Sequence, residues 1–311
     1  VAKKQVINPS TSAYVSLKNV FRVMNLMNRK PAFYRKLLKQ KKVMEIARKG
    51  ERHKKQVMVS IVVPTYNEEK YIRECLSHMH NQDLDDFVLD LGEGAEKERG
   101  RGEKLGSPSF EIILGDGYST DKTVQFAKKY ADKIIFEEKR TIAAGRQAAA
   151  EAAKGKILVF TDADDRPDID WLKNLLKPFS DPKIVGTYGN TIPYDGTKWD
   201  KFIAETFLDS YYKFMAFIGR PSGAGSNLAV RKDAFDKIGG FNTDLVTAED
   251  IDLQIRLTKL GKIVYVPKAE MRVSLRRVKK WGFAKWFVYH TINTFIIHLL
   301  KKAQKEYEPV R

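Results

Sequence analysis

The sequence predicts an α/β protein whose mostly parallel sheet is flanked by helices, with basic amphipathic helical segments at the N- and C-terminal ends. Three observations predict it. From Met58 onward, short β-branched apolar runs alternate with helix-period segments. Each predicted strand of the first half ends in a cluster of polar residues, the place where α/β sheets bind ligands. The charge is divided unevenly: of the formal +17, residues 1–58 contribute +14 and residues 271–311 contribute +8, so residues 59–270 carry −5.

The elements follow in order. Residues 14–30 place Val15, Phe21, Met24 and Met27 at helical spacing among Lys18, Arg22 and Arg29, and Pro31 separates them from a second basic amphipathic helix, 33–48. Residues 1–57 are therefore expected to form a basic arm, either lying in a membrane interface or packed on the main domain with its basic face outward. Residues 58–270 form the expected catalytic domain. Its strands are Val59–Val63, Phe110–Leu114, Lys133–Phe136 and Ile157–Phe160, and its helices run over 68–82, 121–130, 142–153 and 169–179, then Ile251–Leu260. Alternation of this kind, with apolar strands, argues for a parallel sheet covered on both faces. Residues 85–109, rich in glycine and charge, read as a mobile surface insertion with little to bury. Residues 271–311 form a basic and aromatic tail in which Trp281, Phe283 and Trp286 follow five Arg and Lys residues, suited either to an interface or to packing on the core.

Composition excludes several classes. The one cysteine, Cys75, forbids an internal disulfide, so the sequence needs no oxidising compartment. No run of 18 apolar residues exists, and the nearest, Trp286–Leu300, contains two histidines and an asparagine. The N-terminus does not read as a secretory signal. The expected location is cytoplasmic and peripheral, at the inner face of the cell membrane, where basic ends meet an anionic surface.

Chemistry concentrates in the strand-end loops. Pro64-Thr65-Tyr66-Asn67-Glu68 follows the first strand, Asp116-Gly117-Tyr118-Ser119-Thr120-Asp121 the second and Thr161-Asp162-Ala163-Asp164-Asp165 the fourth. Three such loops in register are hard to explain as turns alone. Carboxylates two apart suit a hard dication, Mn²⁺ or Mg²⁺, that shares its shell with phosphates and water. The plainer alternative is an acidic turn capping the next helix. Beyond them, Arg276 and Arg277 are placed to grip a donor diphosphate or an acceptor phosphate.

The runs VSIVVPTYNEEKYI, DGYSTDKT, FTDADD, GAGSNLAVRKDAFDKIGGF and AEDIDL, in this order over roughly residues 58–280, resemble family 2 glycosyltransferases of the GT-A fold. The resemblance implies a metal-dependent, inverting transfer of a sugar from a nucleotide diphosphate, UDP favoured over GDP. It places Pro64, Thr65, Tyr66 and Glu68 in the loop that holds base and ribose, Asp116 on the base, and Arg146 near the nucleotide. Asp162 and Asp164 match the DxD pair, Asp162 toward ribose or metal and Asp164 as direct metal ligand. Gly225, Ser226 and Asn227 fall in the segment lining the donor sugar and acceptor, as does Glu249. Asp250 matches the general base, although Glu249-Asp250 also suits a helix N-terminus on dipole grounds. The loop GDGY, where the family often has paired aspartates, is a departure that blurs base specificity.

The partners expected are a nucleotide-sugar donor, a glycan or lipid-linked acceptor and an anionic membrane surface. Two other classes remain: a nucleic-acid-binding protein using its basic ends, and a related nucleotidyltransferase. The first leaves the acidic loops unexplained, since they would repel phosphate, so no nucleic acid is expected. The second usually carries a glycine-rich basic loop after its first strand, which Pro64–Glu68 is not.

Overall fold

The computed structural model describes residues 44–45, 57–91 and 107–300. Most of the expected basic arm, most of the insertion and the end of the tail lie outside them.

Among the described residues nine strands form one sheet: β1 (Met44–Glu45), β2 (Val57–Thr65), β3 (Ser109–Asp116), β4 (Lys133–Phe136), β5 (Ile157–Phe160), β6 (Arg166–Pro167), β7 (Ile184–Pro193), β8 (Leu228–Arg231) and β9 (Lys262–Val273), in the spatial order β1-β4-β3-β2-β5-β8-β7-β9-β6. The α-helices among the described residues are α1 (Ile72–His80), α2 (Thr123–Ala127), α3 (Ile142–Glu151), α4 (Trp171–Leu176), α5 (Lys198–Ile203), α6 (Asp209–Phe217), α7 (Lys232–Lys237), α8 (Glu249–Leu257), α9 (Arg276–Trp281) and α10 (Phe283–Leu300).

The block β4-β3-β2-β5 is parallel throughout, as its apolar strands require. Its two faces separate by the period-2 alternation of a strand. Val59, Ile61, Val63, Ile112, Leu114, Ile157 and Val159 pack with α1 and α4 in one cluster. Val62, Ile113, Leu158 and Phe160 pack with the alanines of α3 in the other. Burial on both faces is why these strands read as continuous apolar runs. Helix α3 comes so close to β3 that a Cβ on Gly115 would collide with the Gly145 carbonyl; this approach delivers Arg146, the next residue, to the strand ends.

Beyond β5 the sheet is mixed. Strands β5–β8 and β8–β7 pair antiparallel, β7–β9 parallel and β9–β6 antiparallel. The sequence reading did not anticipate β7, β8 or β9. Strand β7, IVGTYGNTIP, interleaves glycine and polar residues, yet nine of its ten positions are buried. Its polar groups are satisfied inside: Thr187 Oγ1 donates to the Leu175 carbonyl at 2.8 Å.

Three boundaries differ from expectation. Met44–Glu45, read as helix, instead pairs as a strand with β4. The division after residue 270 falls inside β9, because β9 stays paired with β7 as far as Val273. At the start of the insertion, Leu89 is only 6% exposed, with Phe87 and Leu91 packed on the same cluster, so residues 85–91 bury more than their composition suggested. No helix among the described residues is long and apolar enough to cross a membrane.

Candidate active site

The loops after β2, β3 and β5 meet at the carboxyl ends of the parallel strands. Thr65 and Asp116 are register partners at the ends of β2 and β3, and Thr65 Oγ1 donates to Asp116 Oδ2 at 2.9 Å. Asp116 also accepts from the Ser119 amide at 2.8 Å and the Ser119 hydroxyl at 2.6 Å. The first two loops are then stitched together: the Asn67 amide donates to Ser119 Oγ at 2.9 Å and the Thr120 amide to Asn67 Oδ1 at 2.8 Å. Both Asn67 (φ 56°) and Tyr118 (φ 61°) take the left-handed conformation, uncommon outside glycine. Pro64 precedes Thr65 at the strand end, and Tyr66, half-buried, has the Arg140 guanidinium 5.5 Å from its ring centroid.

The acidic loop divides its labour. Asp165, 2% exposed, accepts from the Asp162 amide at 3.0 Å and Thr161 Oγ1 at 3.3 Å, so it organises the turn. Its proton affinity is pushed well up by burial and by Asp162 and Asp164. Asp162 and Asp164 are left facing outward partners. Arg276, at the start of α9, forks onto both Glu68 oxygens at 2.7 Å each, and its Nε lies 3.0 Å from Asp164 Oδ2. Burial raises the Asp164 carboxyl to about 7, with Arg276 opposing and Asp162 and Glu68 adding to the rise.

Arg146 joins the two halves of the site. It is 2% exposed, and donates from one nitrogen to Asp162 Oδ1 at 2.8 Å and from another to Glu249 Oε1 at 2.8 Å. Glu249 opens α8 directly after Ala248, a left-handed residue at φ 56°. Burial and the neighbouring Asp250 raise Glu249 to about 7, against the pull of Arg146. Asp250, half-buried, accepts from the Gly225 amide at 2.7 Å on Oδ2 and from the Ile251 amide at 2.8 Å on Oδ1. Burial raises its proton affinity too, Arg146 and the Gly225 and Ile251 amides opposing. Gly225 has no room for a side chain: a Cβ would run into the Arg146 guanidinium and lie 2.8 Å from Asp250 Cβ.

The structure therefore brings together Thr65, Glu68, Asp162, Asp164, Arg146, Gly225, Glu249, Asp250 and Arg276. Arg277 lies close enough for Asp162 to counter the burial that lowers its proton affinity. Two expected residues behave differently. Asn227 is fully buried and spends its side chain internally, accepting from Trp171 Nε1 at 2.8 Å and donating to the Asn190 and Ala269 carbonyls at 2.8 and 2.9 Å; it fastens β7, β8 and β9 instead of lining an open site. Asp116 is likewise 0% exposed, its carboxylate taken up by Thr65 of β2 and Ser119 of its own loop, so here it ties the two strand ends together. Ser226 is buried beside them, 7% exposed. The missed organisers are Asn67, Ser119 and Asp165, polar residues inside motifs whose partners only the fold supplies.

The donor set fits a dication as a half-site. Among the described residues no three His, Cys, Asp or Glu side chains form a complete metal cage. Yet Asp162 and Asp164 present carboxylates whose crowding favours a cation, and Mg²⁺-type ions accept one or two carboxylates and complete their shell with phosphates and water.

The family model described as glycosyl transferase family 2 matches residues 60–239, which covers the strand-end loops and stops before Glu249. A dolichyl N-acetyl-α-D-glucosaminyl phosphate 3-β-D-2,3-diacetamido-2,3-dideoxy-β-D-glucuronosyltransferase of Methanococcus voltae is 27% identical over 235 residues, 67% of this chain and 63% of that protein. A putative glycosyltransferase EpsH of Bacillus subtilis is 28% identical over 188 residues, 57% of this chain, so the chain spans only 48% and 63% of the length of these two relatives. Among solved structures, the mannosyltransferase PcManGT of Pyrobaculum calidifontis, in complex with GDP-Man and Mn²⁺, superposes with a TM-score of 0.59 at 21% identity, covering 94% of this chain and 76% of that one. Residues 1–349 of S. aureus TarS in complex with UDP give a TM-score of 0.51 at 20% identity, covering 80% of this chain and 67% of that one. At these identities the two structures establish the shared GT-A fold.

Proposed function

The chain belongs to glycosyl transferase family 2, and from that premise we propose that it is a metal-dependent, inverting transferase. In this reading it moves a sugar from a nucleotide diphosphate donor, UDP-linked in preference to GDP-linked, to a hydroxyl or phosphate of a glycan or lipid-linked acceptor at the inner face of the cell membrane. The observation that carries the reading is Arg146, a single buried guanidinium that bonds both Asp162 on the donor side and Glu249 beside Asp250.

The chemistry follows from the charges. As the acceptor hydroxyl attacks the anomeric carbon, a C–O bond forms and the sugar–phosphate bond breaks, its electron pair leaving with the nucleoside diphosphate. Asp250 takes the hydroxyl proton; each of its oxygens accepts one amide bond and keeps a lone pair for it. Its raised proton affinity makes it a better base than an ordinary aspartate. Mn²⁺ or Mg²⁺, held by Asp164 and Asp162, would supply Lewis-acid stabilisation of the leaving diphosphate. Arg276 sits where it can exchange Asp164 for a phosphate oxygen. One base opposite one leaving group fits a single displacement, hence inversion.

Among the relatives, the Methanococcus protein named for a dolichyl-phosphate-linked substrate supports a lipid-linked acceptor, and structures holding UDP or GDP-Man support a nucleotide-bound donor. Calorimetric titration with UDP and with GDP, each with and without Mn²⁺, tests the donor. Metal-dependent binding of one nucleotide is expected; binding of neither, with salt-sensitive binding of RNA or DNA instead, would return the basic ends to a nucleic-acid role.

A further inference from the structure

The segment between β7 and β8 exposes an unusual amount of aromatic surface. Trp199 is 72% exposed, Phe202 52%, Phe207 64%, Phe214 59%, Phe217 88% and Ile218 42%. Helix α6 is also apolar on its inner face, where Tyr212 and Met215 are buried and Tyr212 packs against Tyr188 and Tyr265. The helix turns Ser210 and Lys213 to water, but Phe214 and Phe217 stand exposed beside them, so its outer face is more apolar than that of an ordinary surface helix. Contiguous exposed apolar surface of this kind marks a contact site.

Three features identify the occupant. The exposed groups are aromatic, the residue types enriched where one side of a protein meets a bilayer interface. They alternate with cations: Lys198, Lys201 and Arg220 enter no salt bridge among the described residues, while Asp200 and Asp209, two of the three acids of the same stretch, are hydrogen-bonded within the protein. Asp200 accepts from the Thr197 amide at 2.7 Å, and Asp209 accepts from Tyr265 at 2.7 Å and from Lys213 at 2.6 Å. The surface presented is thus apolar with a positive margin, which complements anionic lipid and not a second copy of the same positive margin. The patch also runs into the acceptor side of the site. Tyr211, on the same helix, hydrogen-bonds Ser222 and Thr294 of α10, and the chain leaves α6 at Phe217 to reach Gly225 eight residues later, at most about 29 Å of extended chain. Helix α10 adds exposed Val288 and Ile292.

We propose that Lys198–Arg220 is a monotopic docking face that seats its aromatic side chains in the interface of an anionic bilayer, presenting the Gly225–Asp250 side of the site to acceptors carried in that membrane. The inference rests on the reading of a membrane-surface acceptor and names the surface that meets it.

The test is vesicle flotation of the full chain, as wild type and as the double variant Trp199→Ser/Phe217→Ser. The probes are phosphatidylcholine vesicles with and without one quarter phosphatidylglycerol, at about 0.1 M salt, where attraction still acts across roughly 10 Å. Both side chains are largely in water, so folding should be unaffected; an unchanged Tm and unchanged UDP affinity in the presence of Mn²⁺ check this. The expected result is flotation with anionic vesicles that drops at least about tenfold in the variant, the scale of losing two buried aromatic groups. Equal flotation of variant and wild type would overturn the proposal in favour of the basic ends alone. So would a concentration-dependent dimer that the variant abolishes, which would make a second copy the occupant. Intact nucleotide binding without any flotation would sink the docking face while leaving the transferase reading standing; loss of nucleotide binding in the wild type would sink that reading instead.

Discussion

The parallel block β4-β3-β2-β5 and the later strands β7–β9 build the two sides of one site in different ways. On the parallel side each loop is closed by its own polar residues: Asp116 takes three hydrogen bonds from Thr65 and Ser119, and Asp165 folds the acidic turn around its carboxylate. On the later side, Asp250 is positioned by two backbone amides, one of them from a glycine that tolerates no side chain. The parallel side has both faces covered, whereas the later side turns aromatic groups to the outside. On the proposed function, the donor side is preorganised by side-chain networks, while the acceptor side depends on close backbone packing that one added methyl would disturb. Arg146 is a buried group that belongs to both.

Arg146→Met should therefore have the largest effect, separating the two sides. It leaves Glu249, 7% exposed at its side chain, without its cation, and removing one partner of a buried pair costs about 3–5 kcal/mol. Urea denaturation should show that loss, and transfer should fall with it. A variant as stable as wild type would mean that the two sides are not held together through this guanidinium.

Gly225→Ala should tell the two sides apart. The added methyl meets Arg146 and Asp250, and overpacking costs about 1–3 kcal/mol. Because the methyl presses on Asp250 directly and reaches the strand-end loops only through the Arg146–Asp162 bond, turnover should drop more than UDP affinity. Equal losses in both would contradict the division.

The smallest effect expected is on pH dependence. Asp164 and Glu249 bind protons up to about 7 in the fold, against ordinary values of 3.8 and 4.5. Between those limits the folded protein holds protons that the unfolded chain releases, so stability is full below about pH 4 and declines as pH rises through about 7. Thermal melts from pH 5 to 8 without metal should show a fall of roughly a few °C. Mn²⁺ with UDP, which favours the ionised Asp164, should flatten it; a metal-independent slope would argue against Asp164 as the ligand.

Much of the parallel side was legible in the sequence because two-faced burial leaves continuous apolar runs, as in Val59–Val63 and Ile157–Phe160, and because its ligand loops follow those runs directly. The later side was not. Strand β7 buries Thr187 and Asn190 through partners distant in sequence, so its polar residues hid it. Asn227 lay within a motif suggestive of substrate contact, yet its amide is a three-way fastener. The aromatic residues of 199–217 carried no helical stripe, since they point outward while Tyr212 and Met215 point in. Arg276 was legible as a phosphate-binding type, but its fork onto Glu68 depends on α9 folding back over the first loop.

The most direct test of the central claim compares Asp250→Asn with Asp164→Ala, measuring UDP affinity by calorimetry with Mn²⁺ and sugar release from the donor or transfer to an acceptor on the same samples. Asp250→Asn should bind UDP as wild type does and lose about 10²–10⁴ in turnover, while Asp164→Ala should lose metal-dependent binding itself. The reverse pattern, with binding lost at Asp250 and kept at Asp164, would contradict the assignment of base and metal ligand to the two sides of Arg146.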